Sequence, residues 1–243
     1  MKRYKNILFD LDGTLLPIDY EQFLSVYLKE VAIKFTHLGY DGKRIADCVM
    51  QATGVVMNND GKRSNEKAFW QRFLQLAGAD GEAAQTHFMD FYENEYDRSS
   101  VAAGINPLAA KAVEQCRKNG MRVFLATAPY FPKLAIEKRV RWAGLDPADF
   151  ECLTTYDNCT YCKPNPLYFQ ELLDRCGLKA EETLMVGNDV EQDLPCQEVG
   201  IDCWLLKEGL LNEGGKAFQS TYLTDWETFY RTLCQMGEAE EHT

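Results

Sequence analysis

The sequence predicts an α/β protein with a doubly wound parallel sheet and a smaller all-helical domain inserted into it. Short apolar runs alternate with helical patterns from residue 107 to residue 206, as in parallel sheets whose strands are joined by helices. One earlier strand, predicted at residues 5–10 around the apolar run at residues 7–9, is separated from the others by helical patterns without a clear strand. The chain has 243 residues, which is enough for one or two domains. We therefore expect an α/β core formed by residues 1–16 and 102–243, with residues 17–101 as a helical cap.

Local patterns predict the first strand and the helices of the cap. The continuous apolar run Ile7-Leu8-Phe9 is typical of a strand buried on both faces. Asp19 is suited to the N-cap of the next helix, in which apolar residues recur at helical spacing. Three further helices are predicted at residues 43–53, 65–77 and 82–96.

The rest of the chain repeats a helix followed by a strand. Four of its predicted helices are each followed by glycine, which commonly ends a helix because it adopts a left-handed conformation. These helices are at residues 107–119, 131–143, 167–176 and 190–199, and their glycines are Gly120, Gly144, Gly177 and Gly200. Strands are predicted at residues 121–126, 150–154, 183–186 and 201–206, and a last helix at residues 224–236.

The charge and the hydropathy pattern exclude some partners. A net charge of −11 argues against nucleic acid or an anionic membrane as a partner. No run approaches the ~20 apolar residues of a membrane span, and the apolar run after the basic N-terminus is too short for a signal peptide. We expect a cytoplasmic protein, and the sequence does not indicate an oligomeric state.

The nine cysteines include one pair with a spacing known from metal and redox sites. Cys159 and Cys162 form a C-x-x-C pattern, which could be half of a zinc site or a redox pair. A structural zinc site needs about four ligands, and the sequence has no second C-x-x-C. We therefore favour two ordinary thiols.

Two acids follow the first predicted strand directly. Asp10 and Asp12 are two residues apart, so in extended backbone they point to the same face, at the edge where α/β sheets bind ligands. Close carboxylates are costly unless a cation lies between them. Asp10 could act as a nucleophile toward phosphorus, and Asp12 could exchange protons with the leaving oxygen and with water. The alternative is an exposed acidic turn that caps a helix.

Three later segments place polar residues at predicted strand ends or helix starts. Thr127 follows the strand at residues 121–126, where its hydroxyl could bind a phosphoryl oxygen. Lys163 precedes a helix and could offset crowded negative charge. Taken alone, Thr127 is better explained as an ordinary residue between a strand and a loop, and Lys163 as a surface lysine at a helix start.

The last segment is acidic. Asp189 and Asp193 follow the strand at residues 183–186, and on a helix their spacing would put both on one face. The alternative to a functional site is an acidic helix N-terminus.

Together, the four segments resemble the ordered motifs of the haloacid dehalogenase-like (HAD) phosphohydrolases. The resemblance implies a Rossmann-like core and a Mg²⁺-dependent phosphatase acting on a small phosphorylated metabolite. It also implies that Asp10, the main-chain carbonyl of Asp12 and Asp189 hold the metal, while Thr127 and Lys163 bind the transferring group. Two positions depart from the family pattern: Ala128 replaces a frequent asparagine, and Asn188 replaces the usual aspartate. The second departure leaves the metal ligand implied by the resemblance ambiguous between Asp189 and the Asn188 carbonyl. We favour Asp189 for its charge, with Asp193 orienting Lys163 or a metal-bound water.

The resemblance leaves two alternatives to a phosphatase open. A phosphomutase would use the same aspartyl-phosphate, and a non-catalytic binding protein could keep the fold. Dehalogenating members lack an acid two residues after the nucleophile, so Asp12 argues against that activity. The cap is expected to close over the site, with hinges near Pro17 and Gly104.

Overall fold

A five-stranded parallel sheet forms the centre of the protein, which is described here for residues 2–241 of a computed structural model. The strand order is β2-β1-β3-β4-β5, so the chain winds to one side of β1 and then to the other. The predicted doubly wound α/β fold is confirmed. The strands are β1 (Asn6–Phe9), β2 (Arg122–Leu125), β3 (Thr183–Gly187), β4 (Asp202–Leu206) and β5 (Tyr222–Thr224).

Between β1 and the rest of the sheet lies a helical segment. Its first helix starts after Asp19, whose side chain accepts a hydrogen bond from the Gln22 amide, as an N-cap does. This segment contains α1 (Tyr20–His37), α2 (Gly42–Met57), α3 (Asn65–Ala77), α4 (Gly81–Gln85) and α5 (Phe88–Asn94), followed by a 3₁₀ helix (Tyr96–Ala102). The remaining helices are α6 (Pro107–Lys118), α7 (Lys133–Trp142), α8 (Pro166–Cys176) and α9 (Trp226–Glu241).

The chain enters and leaves the helical segment side by side. Ile18 pairs with Ala103 in an antiparallel bridge. The Gly104 amide donates a hydrogen bond to the Pro17 carbonyl, with the two atoms 2.7 Å apart. The chain thus enters the helical segment at Pro17 and Ile18 and leaves it at Ala103 and Gly104. These two crossing points lie against each other, at the predicted hinge positions. The exact division into core and cap remains a prediction.

Three predicted elements differ from the structure, and one observed strand was not predicted. The helix at residues 82–96 is broken near Thr86, whose hydroxyl bonds the Ala83 carbonyl, and continues as α5. The helix at residues 190–199 is only a 3₁₀ helix, Leu194–Val199, because Pro195 lacks an amide hydrogen and cannot continue an α-helical ladder. The strand at residues 150–154 is a single bridge to β2, and β5 was not predicted because three residues give too short a pattern.

The apolar core covers both faces of the sheet. One cluster runs without interruption from β1 into the helical segment and includes Phe9, Phe23 and Phe131, and a second packs α8 against the other face. At the far end, Phe229 of α9 contacts Trp204 of β4, with ring centres 5.0 Å apart. Within the described residues, every helix is too short or too polar to cross a membrane.

Candidate active site

A buried lysine joins two acids from distant parts of the chain. Asp10 follows β1, Lys163 lies in the loop before α8, and Asp193 precedes the 3₁₀ helix after β3. The Lys163 Nζ atom lies 2.9 Å from Asp10 Oδ1 and 2.6 Å from Asp193 Oδ1. All three side chains are almost inaccessible to solvent. The structure thus brings together residues that the sequence placed at three separate strand ends and helix starts.

Burial and charge act in opposite directions on these groups. Burial raises the pKa of Asp10 to about 6, an effect that Lys163 opposes and Asp193 reinforces. Burial also disfavours the Lys163 ammonium, but Asp10 and Asp193 outweigh it, so the pKa of Lys163 is raised. The lysine therefore stays charged and compensates the two acids, as a buried ionic group requires.

Asp189 and Asp193 lie in a turn and not in an α-helix, although the Asp193 amide donates to the Asp189 carbonyl at 2.8 Å, the bond of a single helical turn. Asp193 Oδ2 accepts hydrogen bonds from the amides of Asn188 and Asp189, each at 3.0 Å. Asp189 Oδ1 accepts from the amides of Glu191 and Gln192, at 2.8 and 3.1 Å. Such bonds compete with the helical ladder. Burial raises the pKa of Asp189.

The Asn188 side chain links the first acidic segment to the loop after β4. Its Oδ1 accepts a hydrogen bond from the Thr14 hydroxyl at 2.8 Å, and its Nδ2 donates to the Gly209 carbonyl at 2.7 Å. Its main-chain carbonyl accepts from the Leu211 amide. Both Asn188 oxygens, one of which is a candidate metal ligand, therefore already accept hydrogen bonds within the protein.

Thr127 lies beside the end of β1. The Ala126 amide donates to the Phe9 carbonyl at 2.7 Å, which fixes Thr127 next to the start of the acidic segment. The Thr127 carbonyl accepts hydrogen bonds from the hydroxyls of Thr154 and Tyr168, at 2.7 and 2.9 Å. These two hydrogen bonds hold the backbone in place just after the end of β2.

Asp12 forms an ion pair with Arg139 of α7, a residue that our sequence reasoning missed. The Arg139 guanidinium lies 5.0 Å from the ring centre of Phe23 and 5.3 Å from that of Phe131. Burial lowers the pKa of Arg139 to about 9, and Asp10 opposes this shift. The available signal was its spacing, because Arg139 falls on the same helix face as the buried Ile136 and Val140.

The cysteines form no bonded pair: all nine are free. Cys159 and Cys162 are both buried, and Cys162 Sγ accepts a hydrogen bond from Asn65 Nδ2. Across the part of the chain that the structure describes, no three His, Cys, Asp or Glu side chains are grouped closely enough to hold a metal. The metal set implied by the resemblance needs only two acid side chains and a main-chain carbonyl.

The Asp193 side chain packs directly against the backbone of Gly187 at the end of β3, and this contact gives a test of the site. A Cβ added at Gly187 would lie 2.0 Å from Asp193 Oδ2, nearer than atoms can approach. We expect Gly187→Ala to lower the free energy of unfolding by about 1–3 kcal/mol and to displace Asp193 from Lys163. Urea unfolding measures the effect.

The matched control is Gly54→Ala in α2, where an added Cβ meets nothing within 4 Å. Alanine is the better helix former, so this variant should be at least as stable as the parent protein. Unchanged stability of the Gly187→Ala variant would show that Asp193 is not held where we describe it.

Comparison with protein families gives a match to the haloacid dehalogenase-like hydrolases over residues 4–196. The chain belongs to this family. The predicted family and enzyme class, a HAD-like hydrolase with a Rossmann-like core, are therefore confirmed. The roles of Asp10, Asp12, Thr127, Lys163 and Asp189 remain predictions.

Similar proteins agree with this assignment. The pyrophosphatase PpaX of Bacillus cereus (strain AH820) is 23% identical over 228 residues, covering 92% of this chain and 91% of PpaX. A HAD phosphatase from Thermococcus onnurineus is 22% identical with a TM-score of 0.58, covering 96% of this chain and 98% of its own. The HAD-hydrolase YfnB of Bacillus subtilis, solved with bound magnesium, is 20% identical with a TM-score of 0.55, covering 96% and 99%. At these identities the structural likeness establishes the fold.

Proposed function

We propose that this protein is a Mg²⁺-dependent phosphatase that hydrolyses small phosphomonoesters through an aspartyl-phosphate on Asp10. The observation that carries the proposal is the buried Asp10–Lys163 pair at the end of β1, with Asp12 two residues further on. Asp10 is thereby fixed at the edge of the sheet where α/β proteins bind ligands. The phosphatase relatives support the same chemistry.

The first half of the reaction transfers the phosphoryl group to the protein. A carboxylate oxygen of Asp10 attacks phosphorus, and the bond from phosphorus to the ester oxygen breaks. Asp12 gives a proton to the departing oxygen, which leaves as an alcohol. In the second half, Asp12 takes a proton from water as the water oxygen attacks phosphorus. Inorganic phosphate is released and the Asp10 carboxylate is restored.

Lys163 and Thr127 are proposed to bind the transferring group. Phosphoryl transfer depends mainly on positioning and on the stabilisation of charge. Lys163 contacts Asp10 directly, so its ammonium lies where negative charge accumulates. Thr127 is held beside Asp10 by the pairing of β1 and β2, and its hydroxyl is a suitable donor to a phosphoryl oxygen.

Asp10, the main-chain carbonyl of Asp12 and Asp189 would hold the magnesium ion. Mg²⁺ prefers oxygen ligands, often one or two carboxylates together with waters and substrate phosphate. One oxygen of Asp10 accepts a hydrogen bond from Lys163, and one oxygen of Asp189 accepts hydrogen bonds from two backbone amides. Both acids therefore keep acceptor capacity for a cation. When bound, the ion would neutralise charge on the phosphoryl oxygens.

The choice of metal ligand is tested by paired variants. We expect EDTA to abolish activity and added Mg²⁺ to restore it. Asp189→Asn should raise the Mg²⁺ concentration for half-maximal activity by at least about 10-fold. Asn188→Ala, which removes the bonds to Thr14 and Gly209, should lower stability with little change in that concentration. Activity that EDTA leaves intact, or a larger shift for Asn188→Ala, would contradict the assignment.

The substrate is proposed to be a small phosphorylated metabolite of the cytoplasm. The helical segment, residues 17–101, would close over it by moving about the paired crossing points near Pro17 and Gly104. A panel of sugar phosphates, nucleotides, phosphoglycolate and pyrophosphate tests this, with inorganic phosphate as the measured product. Release of phosphate supports a phosphatase. Conversion of a substrate to its isomer would indicate a phosphomutase, and inactivity on the whole panel with Mg²⁺ would favour a binding protein.

A further inference from the structure

We infer that Arg139 is a positioning residue that holds Asp12 in place for proton transfer to the leaving group. The inference rests on the proposed phosphatase function and concerns a residue that none of the motifs contains. Arg139 comes from α7, a helix of the core, and its acidic contact is Asp12. Three features of this pair carry the inference.

The first feature is the difference in exposure within the pair. The Arg139 side chain is 1% exposed, whereas that of Asp12 is 22% exposed. Asp12 is therefore the solvent-accessible partner, and Arg139 is enclosed by the protein. A guanidinium in this position acts on the reaction through Asp12, and direct contact with the substrate is not available to it.

The second feature is the incomplete hydrogen bonding of the pair. Asp12 Oδ2 contacts the guanidinium, while Asp12 Oδ1 and Arg139 Nε are buried without a hydrogen-bond partner among the described residues. Buried polar atoms of this kind cost stability, and a purely structural ion pair would be expected to satisfy them. The guanidinium therefore fixes one oxygen of Asp12, and the other oxygen has no partner in the protein.

The third feature is the aromatic support of Arg139. The rings of Phe23 and Phe131 lie close to the guanidinium and to each other, with 5.9 Å between ring centres. Aromatic faces attract and restrain a planar cation. Phe23 belongs to α1 in the helical segment, whereas Phe131 precedes α7 in the core. The helical segment therefore contributes directly to the orientation of the proposed proton donor.

Proton donation matters most when the leaving group is poor. Alkoxide leaving groups depend on a proton from Asp12, whereas p-nitrophenolate leaves readily without one. The quantity to compare is kcat/KM, because it covers the steps up to the aspartyl-phosphate and omits hydrolysis of this intermediate. A loss of positioning should therefore lower kcat/KM for an alkyl phosphate far more than for p-nitrophenyl phosphate.

The experiment compares Arg139→Met with the parent protein on β-glycerophosphate and p-nitrophenyl phosphate, both with Mg²⁺. We expect kcat/KM to fall by about 100-fold or more for β-glycerophosphate, since general acid catalysis typically contributes 10²–10⁴-fold. For p-nitrophenyl phosphate the fall should stay below about 10-fold. Arg141→Met, an exposed arginine of the same helix, is the matched control and should leave both values unchanged.

Two milder variants keep the test decisive if Arg139→Met does not fold. Arg139→Lys retains the positive charge but lacks the planar guanidinium group, and Phe23→Leu removes one of the two aromatic rings that contact it. Both should show the same preferential loss on the alkyl phosphate at a smaller magnitude, with circular dichroism as the check on folding. Equal losses on both substrates, or no loss, would overturn the inference. No phosphate release by the parent protein from either substrate would instead refute the proposed function itself.

Discussion

Replacing Asp10 with asparagine is expected to abolish turnover, with kcat reduced by at least about 10⁴-fold, as when a covalent nucleophile is removed. The amide is close to the carboxylate in size, and its oxygen can still accept the hydrogen bond from Lys163. It is not nucleophilic, so no aspartyl-phosphate can form. The fold should therefore persist while the chemistry is lost.

The measurement is phosphate release, together with mass spectrometry of acid-quenched enzyme digested to peptides. The parent protein should carry phosphate on the peptide that contains Asp10, and the variant should carry none. Asp174→Asn, an exposed aspartate on α8, is the control and should retain full activity. Turnover that survives in Asp10→Asn, or phosphate found on a different residue, would reject the proposed intermediate.

Replacing Lys163 with methionine is expected to damage both activity and stability. The substitution leaves Asp10 and Asp193 buried together without a cation. Removing one partner of a buried ion pair commonly costs about 3–5 kcal/mol, because an uncompensated charge remains. We also expect kcat to fall by about 10³-fold, since the proposed charge stabilisation at the phosphoryl group is lost.

Urea unfolding and steady-state kinetics measure the two effects. Lys133→Met is the control, because Lys133 is an exposed lysine and should tolerate the change. Adding Asp193→Asn removes one of the stranded charges, so the double variant should be less destabilised than the sum of the single changes. Full additivity, or a loss below about 1 kcal/mol for Lys163→Met, would contradict the role we give to the lysine.

The sequence predicted the parts of the site that follow from sheet geometry. Asp10 and Asp193 lie close together because the parallel strands β1 and β3 bring their carboxyl ends to one edge, and the hydrophobic runs before Asp10 and Asp189 located these two ends. Lys163 reaches both acids from the loop before α8. The order of elements followed from the same alternation of apolar runs and helical patterns.

Tertiary contacts without a local pattern could not be predicted. The partner of Asp12 comes from a helix more than one hundred residues away, and a single arginine on an amphipathic helix does not indicate which acid it will meet. The turn between Asp189 and Asp193 is set by side chains that bond backbone amides, which helical spacing does not reveal.

The paired crossing points at Ile18–Ala103 and Pro17–Gly104 have a consequence for how this enzyme could diversify. An insertion whose two ends meet can change its length and lining without altering the path of the strands it interrupts. Selectivity for new compounds could thus evolve in residues 17–101 while the hydrolytic machinery at the sheet edge stays as it is. Phe23 at Arg139, and hydrogen bonds such as those from Asn65 to Cys159 and from Lys138 to Asp97, tie this segment to the rest of the protein, so any change in it must preserve these contacts.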